Sequence, residues 1–162
     1  MSEKNYFILV ASPQTLVSGE ILHPAEVIKH RLNARYWPLS HHTPNRNRIK
    51  RGDECLAYLA GTRKGSQSFS GRMTVSASEV WTGPEASEID LFGASPYVQK
   101  LHVENVEFFG EPISIRPLLP RMAFHGERKN WGVMLQGGCK LISFEDWSVV
   151  VSEAQGLGIG PS

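Results

Sequence analysis

Cys55-Leu56-Ala57-Tyr58-Leu59-Ala60, followed by Phe69-Ser70-Gly71-Arg72-Met73-Thr74-Val75-Ser76-Ala77, decides the architecture. The first segment is a short, continuously apolar run. In the second, Phe69, Gly71, Met73, Val75 and Ala77 share one face, and Ser70, Arg72, Thr74 and Ser76 share the other. A period of two is the signature of a strand. Between the segments, Gly61 to Ser66 is a polar, glycine-punctuated turn carrying Arg63 and Lys64. The two strands are therefore expected to pair as a hairpin. Leu56, Tyr58 and Ala60 then face one way, and Cys55, Ala57 and Leu59 the other.

Upstream, Arg51-Gly52-Asp53 forms a turn into this hairpin. Before it comes Arg35-Tyr36-Trp37, then a run without periodicity, Pro38 to Arg48, read as a loop. Between Val27 and Gly52 there are seven Lys or Arg residues and no Asp or Glu. An aromatic pair beside an unbroken positive run suits gripping a polyanion and stacking on one of its rings. The competing reading is a solvated loop with Trp37 in the core. His23-Pro24-Ala25-Glu26 starts a helix, with Pro in its first turn, and Asn33 ends it. Val27, Ile28 and Leu32 form its buried face, and Lys29, His30 and Arg31 are placed around the other side. Tyr6 to Ala11 is a central strand, apolar on both faces, with Ser12 as the first polar side chain at its end.

Downstream, the alternation breaks near Glu79, and Leu101 and Val103 differ in parity from Val106 and Phe108. Bulges are expected near Glu79 and near Glu104-Asn105, curling the sheet toward a barrel. Thr82 to Pro96 is an acidic insertion. The prolines at 117 and 120 restrict the segment after Ile115 to a short turn. Trp131 to Leu135 reads as a short strand, Gly137-Gly138 as a turn, and Ser143 as the cap of a last helix, with Asp146 three residues on. Trp81 and Trp147 read as core. The expected organisation is one domain over residues 1–155 and a flexible tail over 156–162.

The 162 residues carry a net charge of +1, so the chain as a whole is no polycation. Its charge is segregated: Glu79 to Glu111 holds seven acids and one Lys, while Arg116 to Lys140 holds five bases and one acid. That pattern permits one positive face on a neutral molecule. The two cysteines, Cys55 and Cys139, each lie in an apolar run and are read as reduced, buried thiols. With no secretory leader and no membrane-length apolar stretch, a cytoplasmic protein is expected.

Phe108-Phe109-Gly110-Glu111-Pro112-Ile113, Arg116-Pro117-Leu118, Lys129-Asn130-Trp131-Gly132, Gly137-Gly138 and Ile142-Ser143-Phe144-Glu145-Asp146-Trp147 resemble, in that order, the C-terminal half of the EVE domain. The order of elements from Tyr6 to Val80 agrees with its N-terminal half. That family belongs to the PUA-like superfamily with YTH and ASCH domains. The resemblance implies an α+β fold, a PUA-like pseudo-barrel of five to six mostly antiparallel, bulged strands with short flanking helices. It also implies a pocket for one flipped, modified base of DNA or RNA, such as a methylated cytosine. An effector protein of a restriction or RNA-modification system is the implied partner.

Matching positions make Trp37 the first stacking wall, with Tyr36 weaker because neighbouring side chains point apart. Tyr58 is the second wall, and Ser12, Ser70 and Asn130 supply a hydrogen-bonding rim. Phosphates fall to Arg46, Arg48, Lys50 and Arg51, with help from Arg35, Arg63 and Lys64. Arg128 and Lys129, ahead of Trp131, form a further clamp.

Catalytic patterns are weak. His41 and His42 with His30 lack a nearby Cys or carboxylate to complete a metal shell. Cys55 lies where a thiolate is disfavoured, and Asp53-Glu54 and Glu145-Asp146 diverge. No phosphate-binding glycine loop or nucleophile elbow is present. The expectation is a non-enzymatic reader that needs no cofactor and no metal. The alternatives are a PUA-like domain that binds or converts a free nucleoside or metabolite, and a protein-interaction module using the acidic segment.

Overall fold

The computed structural model describes residues 4–15, 18–61, 65–81, 97–126, 131–135 and 137–159. In chain order it contains β1 (Tyr6–Ala11), β2 (Gln14–Thr15), β3 (Ile21–Leu22), α1 (Pro24–Asn33), β4 (Tyr36–Ser40), β5 (Glu54–Leu59), β6 (Ser68–Val80) and β7 (Tyr97–Ser114). Two 3-10 helices follow, Arg116–Arg121 and Trp131–Leu135, then β8 (Cys139–Ile142) and α2 (Phe144–Ile159). Six strands form one sheet in the order β4-β7-β6-β5-β1-β8, and β2 and β3 form a separate ribbon.

The β5–β6 hairpin is present and antiparallel. The remaining pairs are antiparallel too, except β1 with β5, which run parallel from Tyr6 beside Glu54 to Ala11 beside Leu59. Asp53 sets that register. Its fully buried carboxylate accepts the N–H of Asn5 at 3.0 Å and that of Lys50 at 2.9 Å, tying the starts of β1 and β5 together.

Strand alternation divides the core. Phe7, Leu9, Cys55, Ala57, Leu59 and Trp37 pack with Val27, Ile28 and Leu32 of α1. Ile8, Leu56, Tyr58 and Phe69 pack on the other face with Leu118 and with Val150 of α2. Ser143 Oγ caps α2 by accepting the N–H of Asp146 at 3.1 Å.

Bulges bend the long β6–β7 ribbon. One extra residue on β7 falls between Glu104 and Glu107, where Asn105 adopts φ 52°, as the parity change indicates. The bulge expected near Glu79 lies earlier, at Ser76, between the pairs Val75–Val103 and Ala77–His102. Ser70 is itself a bulged residue, opposite the step from Ala57 to Tyr58, so Phe69 falls on the face opposite Met73 and Val75 rather than with them as the alternation predicts.

Four readings are corrected. Tyr36 to Ser40 is a strand despite Pro38, because β4 is an edge strand and edges tolerate a missing N–H. Trp131 to Leu135 is 3-10 helix rather than strand. Trp81 and Trp147 are half-buried; Trp147 lies against Tyr6 and Phe144 rather than inside the core. The last helix continues through Gly156 to Ile159, where a tail was expected. The insertion over 83–96 lies outside the described residues. Among those described, no helix is long and apolar enough to cross a membrane.

Candidate functional site

A cleft of about 780 Å³ opens at the carboxyl ends of β1 and β5. Val10 and Ser12 from the first strand, and Tyr58 and Ala60 from the second, form its middle. Because strand faces alternate, the cleft wraps round the ends of these two interior strands and has two poles.

The first pole lies on the α1 side. Trp37 and Leu39 of β4 enter it, with Arg31 from α1, Tyr97 from β7 and Gln14 from β2. The Arg31 guanidinium carbon lies 4.9 Å from the Trp37 ring centroid. Arg31 Nη2 donates to the Tyr97 hydroxyl at 2.8 Å, and that hydroxyl donates to Gln14 Oε1 at 3.3 Å. Arg31 is 4% exposed, and among the described residues no carboxylate pairs with it. Its Nε is buried without a hydrogen-bond partner. Burial pulls its pKa below the usual guanidinium value, opposed by Tyr97 and Tyr36.

The second pole lies on the α2 side. Tyr58 packs its ring against Phe69 at 5.2 Å. Arg116, at the start of the first 3-10 helix, donates from Nε to Gln67 Oε1 at 2.9 Å and lies 5.5 Å from the Trp131 ring. Burial raises the Tyr58 hydroxyl pKa, and the Arg116 charge opposes that. Gly137 and Gly138 close this end.

Trp37, Tyr58 and Ser12 line one cleft, but not as two walls of one slot. Trp37 and Tyr58 sit in core clusters on opposite faces of the sheet. The Trp37 ring, 2% exposed, presents Arg31 rather than a bare face to the cleft. Tyr36 turns away toward His30, Trp81 and Lys100. Ser70 lines a separate depression with Ala25, Ile28 and Phe108, because the bulge carries it to the α1 side of the sheet. Asn130, Arg128, Lys129, Arg63 and Lys64 lie outside the described residues.

The basic loop edges the cleft through Ser40 and Thr43, while Arg46, Arg48, Lys50 and Arg51 stand outside its lining. Arg46 is half-buried and donates to the His41 carbonyl at 3.3 Å, Lys50 lies 3.6 Å from Asp53, and Arg48 and Arg51 are exposed. Arg35 lies away from the cleft, donating to the Leu32 carbonyl at 3.0 Å.

Sequence reasoning missed Arg31, Arg116, Tyr97 and Gln14. Only Arg31 left a signal: it stands four residues after Val27, within the apolar stripe of α1.

No family model matches the chain, and no curated protein matches it by sequence. Solved structures do match it in shape. Human THYN1 protein, in complex with 5-methylcytosine containing DNA, aligns with TM-score 0.58 at 15% identity over 94% of this chain and 98% of that one. ASCH from Zymomonas mobilis aligns with TM-score 0.56 at 11% identity over 93% and 96%. The MmI1 YTH domain aligns with TM-score 0.53 at 10% identity over 97% and 100%. The chain shares the fold of these proteins, a curled six-stranded α+β sheet with short flanking helices, which is the architecture that the sequence resemblance implies.

Proposed function

We propose that this domain is a non-catalytic nucleic-acid reader that takes one flipped, modified base into the cleft. The observation that carries the reading is the lining itself. Aromatic groups (Trp37, Tyr58, Tyr97, Trp131) and two guanidinium groups, Arg31 and Arg116, line a recess large enough for a nucleotide. Extruding a base costs a few kcal/mol, and aromatic or guanidinium stacking returns roughly 1–3 kcal/mol per base. The solved complex of THYN1 with 5-methylcytosine containing DNA supports the reading by likeness of fold.

The non-catalytic part rests on chemistry. Burial holds the Cys55 thiol far above its usual pKa, so its thiolate is scarce near neutrality. A restriction or RNA-modification effector is the partner that such a reader would serve.

A second reading, capture of a free nucleoside or metabolite, is favoured by the size of the cleft. Its volume falls within the roughly 300–1,000 Å³ of small-molecule sites. A titration separates the two. Fluorescence anisotropy is measured with oligonucleotides carrying one modified or unmodified base, and thermal shift with the free nucleosides. A reader prefers the modified strand and gains little from nucleosides. Equal binding of both strands, with a large nucleoside shift, favours the second reading.

A further inference from the structure

We infer that Arg31 is the specificity-determining residue of the cleft, selecting a base that presents two adjacent hydrogen-bond acceptors. This rests on the base-capture reading and names which bases the site admits.

The argument begins with an unbalanced charge. Arg31 is 4% exposed and has no acidic partner among the described residues. A buried charge is retained at a loss unless something compensates it. Trp37 and Tyr97 compensate in part: the indole supports the guanidinium from 4.9 Å, and the Tyr97 hydroxyl accepts one hydrogen bond. Guanidinium carries five N–H donors and no acceptor. Among the described residues only Nη2 finds a partner, and Nε is buried without one.

Nη2 belongs to both two-donor edges of the fork, and it has two protons. Nε is sealed from the cleft, whereas Nη1 is neither sealed nor bonded among the described residues; with Tyr97 on the proton of the Nε side, the Nη1–Nη2 edge keeps two parallel donors. Arg31 also lines the cleft, so the acceptors for its Nη1–Nη2 edge belong to whatever enters. Tyr97 is in turn held by Gln14, so the fork is fixed in orientation before a ligand arrives.

Two parallel donors match adjacent acceptors. Cytosine offers O2 with N3, and guanine offers O6 with N7. A substituent on C5 of cytosine leaves its acceptor pair intact. Adenine places an amino donor beside each accessible ring nitrogen, so one arm of the fork would face a donor. N6-methyladenine keeps that N–H. Thymine separates its carbonyls by the N3–H donor. The fork therefore admits cytosine and guanine and rejects adenine, N6-methyladenine and thymine.

The test uses the intact chain and DNA duplexes with one position opposite an abasic site, which makes extrusion cheap for every base. That position holds cytosine, 5-methylcytosine, guanine, adenine, N6-methyladenine, thymine or no base. Binding is read by fluorescence anisotropy. Cytosine, 5-methylcytosine and guanine are expected to bind at least about ten-fold tighter than the other three. Arg31→Met removes that difference. Arg31→Lys, which keeps the charge and loses the fork, removes most of it. Tyr97→Phe weakens it less, because Tyr97 only positions the fork. Arg116→Ala lowers every affinity alike. Melting curves check that each variant is folded.

If adenine binds as well as cytosine, or if folded Arg31→Lys keeps the full preference, the assignment of Arg31 is overturned while base capture stands. If no base improves on the abasic strand, base capture itself fails and the inference falls with it.

Discussion

Arg31 stacks on Trp37: its guanidinium carbon lies 4.9 Å from the indole centroid, and both residues line the cleft. Trp37 is accordingly a foundation more than a wall. It also belongs to the core with Leu39, Val75 and Leu101. Trp37→Ala is expected to cost about 3–5 kcal/mol of stability, the range for truncating a large buried aromatic. Trp37→Phe keeps most of the volume and is expected to lose clearly less. Urea unfolding of the two variants checks this. A cost below about 1 kcal/mol for Trp37→Ala would place the indole outside the core.

Asp146 holds the segment after the first 3-10 helix. Its carboxylate accepts the N–H groups of Ala123 and Phe124, each at 2.8 Å, and the residue is 2% exposed. Asp146→Ala leaves both donors unsatisfied, at about 1–3 kcal/mol each. A loss of about 2–6 kcal/mol is expected in chemical unfolding. Asp146→Asn, which keeps one acceptor oxygen, is expected to fall between wild type and Ala.

The two cysteines predict an alkaline weakness. Burial pushes the Cys139 thiol up to about 12, and burial with nearby Cys139 and Asp53 raises Cys55 well above its ordinary 9.0. In the unfolded chain both thiols ionise near 9.0, so above that pH the unfolded state loses protons that the folded state keeps. Their stabilising contribution is complete below pH 9 and declines from there through about pH 12. The double variant Cys55→Ala/Cys139→Ala should show a shallower fall in urea midpoint between pH 8 and pH 10.5 than wild type. Identical slopes would show that the thiols are not the source.

The contrast between what could and could not be read lies in the kind of information each feature needs. The hairpin from Cys55 to Ala77 follows from a local period and a short turn, and it is present. The bulge at Asn105 follows from a change of parity within one strand. Ser12 reaches the cleft because it follows a strand whose end is legible, whereas Trp37 reaches it from β4, a strand that Pro38 hid. Tyr58 shows the limit. Its side is fixed by alternation with Ala57 and Leu59, yet its position relative to Trp37 depends on how a bent sheet places its edge, which no local pattern carries. Arg116 and Tyr97 are farther still. They are brought to the cleft by the long β7 and the turn after it, contacts between residues remote in sequence.

Gly137 joins the cleft to the basic loop. It adopts φ 98°, and a Cβ there would fall 2.7 Å from both Cγ and Cδ of Pro44. Gly137→Ala must strain its own backbone and push the ring aside. A loss of about 1–3 kcal/mol is expected from the overpacking alone. Because Pro44 follows Thr43, which lines the cleft, the same variant is expected to weaken ligand binding. Unfolding and anisotropy measured on one preparation separate the two effects.

The exposed loop arginines predict the salt response. Arg48 and Arg51 are exposed and stand outside the cleft lining, whereas Lys50 is near Asp53 and Arg46 is tied to His41. Backbone contacts position a nucleic acid without specifying it. Arg48→Glu with Arg51→Glu is therefore expected to weaken all oligonucleotides by a common factor, leaving the ratio between bases unchanged. Each lost phosphate contact should also flatten the plot of log affinity against log salt by about 0.9 on duplex DNA. Anisotropy across a salt series gives both quantities. A change in the ratio between bases, with the salt slope intact, would move these arginines from the backbone to the base.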